Sequence, residues 1–445
     1  MELKIYDNSK NYACQVIKLP TKIKIPLLDN LVEVNFQGNS CLVGKDSNEE
    51  ELYLFFPAEC KISSEFLRAN NLYRHKELNQ DQTKQGFFED SGRVKALKFK
   101  GIISTGFIIP LYSLPVGKDK YINMSAEQVF SILKVGDEFN SINDFKICEK
   151  YVKPSDKKVG MSNPRTKVLD NIVDSRMAPE HPDTSHLMKN IHKLNLNDYI
   201  AVSYKLHGTS ARYYNTLVKR KLTWKDKLGK FFGIKVVEEQ YDYISASRKV
   251  VKSVGFEALP DKNHFFTSGD LWSEVGKEYF DGKLNQGEAV YCEIIGKTYT
   301  GETIQHGYSY GFEKPKVYIY RISNINSQGI EIDLSYQQMK ERSIQLGIDT
   351  CPEYFYGTLE NFLLKFGAIV QDSNNLESHI SNIFYTNLLE HPSILDSLVI
   401  EEGFCIRKDT YGKPEIFKVK SKKFLAFESG NLDKEVIDVE QEESI

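Results

Sequence analysis

The sequence is short of the features that tie a chain together covalently or set it in a membrane. Its seven cysteines (Cys14, Cys41, Cys60, Cys148, Cys292, Cys351 and Cys405) are odd in number and never paired as CxxC. That spacing excludes a disulfide framework and reads as reduced, intracellular thiols. Long apolar runs are missing too. The most apolar stretch, Gly106 to Val116, is broken by Pro110 and Pro115, so no segment suits a bilayer-spanning helix. The opening residues, MELKIYDNSKNYAC, lack the apolar core of a secretory leader, and a cytoplasmic location is expected. Charge of one sign is also lacking: 58 Lys and Arg face 61 Asp and Glu, for a formal net charge of −3. A globally basic nucleic-acid binder is thereby excluded, and any such contact must come from a local patch. What is present is ample core material. Over 445 residues, 41% are hydrophobic and 12% aromatic, which argues against wholesale disorder and for two or three domains.

No internal repeat is apparent. Residues 1–152 read as short strands separated by polar turns, with Val94 to Lys100 (VKALKFK) and the run beyond Gly101 as examples, which predicts a small β module. Residues 153–165 (KPSDKKVGMSNPR) are polar with two prolines and form the predicted linker. Residues 166–430 alternate strand-like and helical runs, with helices expected at Leu359 to Phe366 and Glu377 to Leu389, and 431–445 is an acidic tail. The expected class is α+β.

Three patterns are set aside. Gly307-Tyr308-Ser309-Tyr310-Gly311 matches GxSxG, but Glu313-Lys314-Pro315 follows where a helix is required, so a turn is expected. Gly296-Lys297-Thr298 lacks the earlier glycine of a phosphate-binding loop. His181, His186 and His192 fit no zinc spacing and read as surface or turn histidines.

Five strand-like segments carry polar or aromatic groups where a buried strand should be apolar, since successive side chains alternate faces. In IAVSYKLHG, Lys205 and His207 lie opposite Ile200, Val202, Tyr204 and Leu206. In AVYCEIIG, Glu293 lies opposite Val290, Cys292 and Ile294. In KVYIYRI, Tyr318 and Tyr320 share a face. In EEGFCIRK, Glu402 enters an apolar strand. In IFKVKSKK, Lys418 and Lys420 lie opposite Phe417 and Val419. Any one is an ordinary half-solvated sheet; five together suggest a shared cleft. Their order and types resemble the motifs of the covalent nucleotidyltransferases. Lys205-Leu206-His207-Gly208 resembles motif I in the KxHG form of RNA ligases, and Tyr291 to Gly296 resembles motif III. The VYIYRI run resembles motif IIIa, Glu402 to Arg407 motif IV, and Lys418-Val419-Lys420 motif V. His181-Pro182-Asp183-Thr184-Ser185, Ser247-Arg248, YRHKELN and GFFEDSGRVKALKFKG are similar to elements of the fifth family of ATP-dependent RNA ligases. Members carry an N-terminal OB module ahead of the transferase.

The resemblance implies an N-terminal OB-like β-barrel followed by an adenylyltransferase domain of antiparallel sheets with flanking helices. It implies Lys205 as nucleophile towards the α-phosphate of ATP, giving lysyl-AMP, then adenylylated RNA, then a phosphodiester. Lys418 and Lys420 would contact the α-phosphate. Glu293 and Glu402 would hold Mg²⁺ (or Mn²⁺), its waters or the ribose. Tyr320, with Tyr318 as runner-up, would stack on adenine, Arg248 would contact ribose or phosphate, and His207 and Gly208 would shape the nucleotide site. Ser210 stands where DNA ligases and capping enzymes usually have an arginine, and Arg407 where motif IV often has lysine. Arg407 weakens a DNA-ligase reading, and the role of the missing arginine would fall to Arg248; the KxHG form and the N-terminal place of the OB module count against both a DNA ligase and a capping enzyme. An inactive RNA-binding relative is the non-enzymatic alternative. The expected partner is RNA, in a nicked duplex or RNA–DNA hybrid, with no membrane partner and a monomeric state. Lys219 to Lys235 (KRKLTWKDKLGKFFGIK) interleaves cations with Trp224, Phe231 and Phe232, so Lys225, Lys227 and Lys230 are candidate RNA contacts. The alternative is an amphipathic helix with its aromatics packed inward.

Overall fold

A computed structural model describes residues 1–26, 28–117, 120–152, 169, 171–258, 266, 269–369 and 375–434. The expected linker and nearly all of the acidic tail lie outside them. The chain divides into two units: Met1–Pro154 with Ile380–Glu390 and Lys420–Glu435, and Ser155–His379 with His391–Val419 and Val436–Ile445.

The first unit is built on five small antiparallel sheets, which do not close on one another as a single hydrogen-bonded barrel among the described residues. The largest orders Gly106–Pro110, Leu52–Pro57, Cys14–Lys18 and Glu138–Phe139. Its second strand, LYLFFP, is apolar throughout because both faces are covered. Leu54 and Phe56 join a core with Val16, Phe66 and Phe139, while Tyr53 and Phe55 join one with Ile17, Val34 and Ile108. Two late segments complete this unit. Tyr385 lies so close to Gly38, a turn residue at φ +78°, that a Cβ there would fall 2.0 Å from its ring. The Lys422–Asp433 helix, capped by the Ser421 hydroxyl, is pinned by Glu59. That carboxylate takes Arg93 Nε and Nη2 at 2.7 Å each and the Ser429 hydroxyl at 2.6 Å.

The second unit holds two sheets. The five-stranded one orders Ser185–His186, Glu415–Lys420, Gly403–Lys408, Tyr199–Lys205 and Glu353–Thr358. The eight-stranded one includes, side by side, Val251–Val254, Glu239–Ser247, Thr209–Lys219, Glu288–Ile295 and Lys316–Ile325. A core containing Ala201 of the first sheet and Ala211, Tyr213, Val290, Cys292 and Ile294 of the second also takes Trp272 and Val275 of the Leu271–Tyr279 helix. The chain leaves one sheet at Lys205 and enters the other at Thr209. The residues Lys-Leu-His-Gly are thus the crossover between the sheets. Helices occur at Leu359–Lys365 and Leu376–Asn382, the latter running on as a π-helical turn to Leu388, as the apolar periodicity predicts.

Candidate active site

At the crossover the backbone is held by side chains distant in sequence. Glu293 accepts the Gly208 N–H at 3.0 Å, and the Gln305 amide donates to the Gly208 carbonyl at 2.8 Å. The His207 N–H donates to the Tyr310 hydroxyl at 2.8 Å, and its ring meets Tyr308 edge-on at 4.8 Å. Glycine is required at 208 for space. An added Cβ would lie 2.3 Å from the Ile294 carbonyl oxygen and 3.0 Å from Glu293 Cγ.

Lys205 projects beside the start of the Gly403–Lys408 strand, its register partner being Gly403. Its Nζ lies 2.8 Å from Glu402 Oε1, whose other oxygen is 3.8 Å from His207 Nδ1. Glu402 is 2% exposed, so the reading of an ordinary half-solvated sheet does not hold for it. A carboxylate so buried needs a close cation, and Lys205, still 23% exposed along its side chain, supplies it. Glu401 is buried as well, and burial pushes its carboxyl up to about 7. The Cys405 thiol shows which charges converge here. Burial raises it to about 11, Lys205 and Lys418 pull it down, and Glu402 and Glu293 push it up. Four candidate residues therefore act electrostatically on one thiol.

The aromatic wall arises from a bulge. Along Glu288–Ile295 the register passes from Tyr291↔Arg321 to Cys292↔Ile319, leaving Tyr320 as the extra residue. Bulges re-aim side chains, and the Tyr320 hydroxyl here shares a hydrogen bond with Ser210 at 2.9 Å. Tyr318 sits opposite Glu293 in register and is 7% exposed. The His181 ring meets Tyr320 and Tyr291 edge-on at 5.3 and 5.6 Å. Burial, with Arg321 and Arg248 pressing the same way, holds His181 at about 3. Arg248 pairs with Asp183. The surface-or-turn expectation holds only in part for these histidines, since His181 lies in an irregular segment but both His181 and His186 are half-buried. The His181 Nε2 atom is sealed from solvent, and His186 lies in a strand beside Lys418, held at about 3 by burial.

The structure brings together Lys205, His207, Gly208, Glu293, Glu402 and Lys418, with Tyr318, Tyr320 and Arg248 along the adjoining sheet. Lys420 ends its strand with Nζ 2.8 Å from Glu428 of the following helix. Lys225, Lys227 and Lys230 lie at the far end of the hairpin that starts at Thr209. Their helix, Trp224–Phe231, buries none of its residues, so the alternative of inward-packed aromatics is overturned. Sequence reasoning missed Gln305, Tyr308 and Tyr310. The only local signal was the GYSYG turn, which is a turn as expected, and whose two tyrosines brace the crossover.

No family model matches the chain, and no curated protein matches it in sequence. Solved structures do match in fold. A lysine-to-methionine mutant of the Naegleria gruberi RNA ligase with AMP and Mn is 15% identical, covers 93% of this chain and 97% of its own, and gives a TM-score of 0.54. The same ligase with PPi is 14% identical over 96% of this chain and 100% of its own, with a TM-score of 0.56. A lysine-to-alanine mutant with ATP and Mn is 14% identical over 95% and 99%, at 0.55. Over nearly its whole length, then, this chain has the fold of an RNA ligase.

Proposed function

We propose that this chain is an ATP-dependent RNA ligase that joins 3′-hydroxyl and 5′-phosphate ends. One observation carries the reading: at the crossover between two sheets, the Lys205 amine is held 2.8 Å from a buried carboxylate, Glu402. Around it the motif residues come in family order, on a fold shared with a ligase solved with ATP, AMP and PPi. In this reading the cations of Lys418 and Lys420 favour the neutral form of the Lys205 amine, whose proton passes to water. The freed amine attacks the α-phosphorus of ATP, a P–N bond forms, and the bond to the pyrophosphate oxygen breaks. AMP then passes to the RNA 5′-phosphate, and the 3′-hydroxyl displaces it. Phosphoryl transfer depends mostly on positioning and charge neutralisation. Lys418 and Lys420 supply cations, Tyr320 a stacking face for adenine, and Arg248 a planar fork for ribose or phosphate.

Mg²⁺ binds through one or two carboxylates together with phosphate oxygens and water. The pair Glu293 and Glu402 suits that pattern, and no cluster of three or more ligands forms a protein cage among the described residues. A bound cation would supply positive charge against the phosphate oxygens. The N-terminal unit fits the role of an OB-type module and the substrate that of nicked duplex RNA or an RNA–DNA hybrid. Incubation with α-labelled ATP and Mg²⁺ should leave acid-labile AMP on the protein. Undiminished labelling of Lys205→Ala would overturn the assignment, and labelling from GTP alone would identify a capping-type transferase.

A further inference from the structure

The Thr209–Lys219 strand pairs with Glu239–Ser247 along its length, out to Lys219↔Glu239. Eleven residues carry it about 33 Å from the crossover. The segment that closes this arm is well built. Thr223 and Asp226 form a capping box, Arg220 bonds Asp226 and the Val237 carbonyl, and Gly233 at φ +75° ends the helix with Ile234 N–H returning to Gly229. Yet its apolar side chains face solvent. Trp224 is 70% exposed, Phe231 82% and Phe232 69%, with Leu228 and Ile234 about half exposed or more. Trp224, Leu228 and Phe231 follow at intervals of four and three, which puts them on one face. Lys225 lies to one side of that face, and Lys227 and Lys230 to the other.

RNA would use the cations but not this apolar face. Leu228 and Ile234 have no flat face for a base. Phe231 and Phe232 are turned edge-to-face on each other at 5.3 Å, Lys225 stands over the Trp224 ring, and Lys230 is neutralised by Glu238 at 2.7 Å. A lipid interface uses both sets: the rings and aliphatic groups enter the acyl boundary, and the lysines meet anionic headgroups. Such an element lies on a membrane without spanning it, so the lack of a spanning segment does not oppose it. We propose that the tip of this arm docks on an anionic membrane surface through Trp224, Leu228, Phe231 and Phe232, flanked by Lys225 and Lys227.

The full chain would be mixed with phosphatidylcholine vesicles and with vesicles containing phosphatidylserine. Of its two tryptophans, Trp272 is 1% exposed and Trp224 lies at the tip, so a blue shift of emission reports the tip. The expected result is co-sedimentation and a blue shift with anionic vesicles only. Co-sedimentation should be lost in the variant carrying Trp224→Ser, Phe231→Ser and Phe232→Ser, and the blue shift in a variant carrying only Phe231→Ser and Phe232→Ser, with adenylylation unchanged in both. Lys225→Glu and Lys227→Glu should each weaken partition at least roughly fivefold. A second variant, with residues 220–238 replaced by an Asn-Gly turn that joins the two strands, should behave like the serine variant. No vesicle binding, or equal binding by the serine variant, overturns the proposal. So does a result in which the serine substitutions weaken only single-stranded RNA binding, or only abolish a dimer.

Discussion

At the residue scale the site depends on close packing around a few polar atoms. Gly208 has no room for a methyl group against the Ile294 carbonyl, and overpacking of this kind costs about 1–3 kcal/mol or more. Gly208→Ala should lower the adenylylation rate at least about tenfold and reduce the melting temperature, both read in one preparation. Tyr310 presents a different case. Removing its hydroxyl leaves the His207 N–H without this acceptor, a loss of roughly 1–3 kcal/mol when the group is buried. Tyr310→Phe should therefore slow labelling several-fold while circular dichroism stays the same. The two neutral histidines set a pH dependence. Both are held near 3 against an ordinary value of about 6.5. Their contribution to stability is present above about pH 6.5 and is lost as the pH falls towards 3, because the unfolded chain takes up protons first. By about pH 5 the loss should be roughly 1–2 kcal/mol for each. His181→Phe should flatten the acid limb of a denaturation curve measured against pH, and an unchanged limb would remove His181 from this role.

At the element scale, strand alternation made much of the site legible in advance. The periodicity of IAVSYKLHG, AVYCEIIG and EEGFCIRK marks strands with out-of-place polar groups, and the structure forms strands at Tyr199–Lys205, Glu288–Ile295 and Gly403–Lys408. What alternation does not encode is register. The bulge that singles out Tyr320 arises from pairing with a strand nearly thirty positions earlier, and neither strand announces it. Nor does local sequence reveal that the aromatics of the Trp224–Phe231 helix face outward, because an amphipathic helix looks the same whether or not a partner covers it. Buried polar pairs are equally silent. Arg93, embedded in a charged run of short strands, turns out to hold Glu59 bidentately with its side chain almost wholly buried. Breaking such a pair by removing one partner costs about 3–5 kcal/mol. Arg93→Ala should shift the urea midpoint accordingly and loosen the Lys422–Asp433 helix in hydrogen exchange.

At the scale of the whole molecule, the net charge of −3 says little, because opposed charges are sorted into place: lysines on the hairpin tip and beside the crossover, carboxylates behind Lys205. The division of the chain is more informative. The first unit takes back Ile380–Glu390 and Lys420–Glu435 after the second has been threaded. A fragment ending at Val152 lacks the Tyr385 ring on Gly38 and the helix whose Ser429 bonds Glu59. It should be unfolded or aggregated by circular dichroism and light scattering, whereas a fragment fold that melts cooperatively would show those segments to be dispensable. Threading of this kind also sets a clock during synthesis. The N-terminal unit waits for a helix that leaves the ribosome about 280 residues later, roughly 15–60 s at ordinary elongation rates. Throughout that interval the Glu59 and Arg93 pair and the Gly38 turn stand without their last partners, so this first-made part of the protein is among the last to be finished.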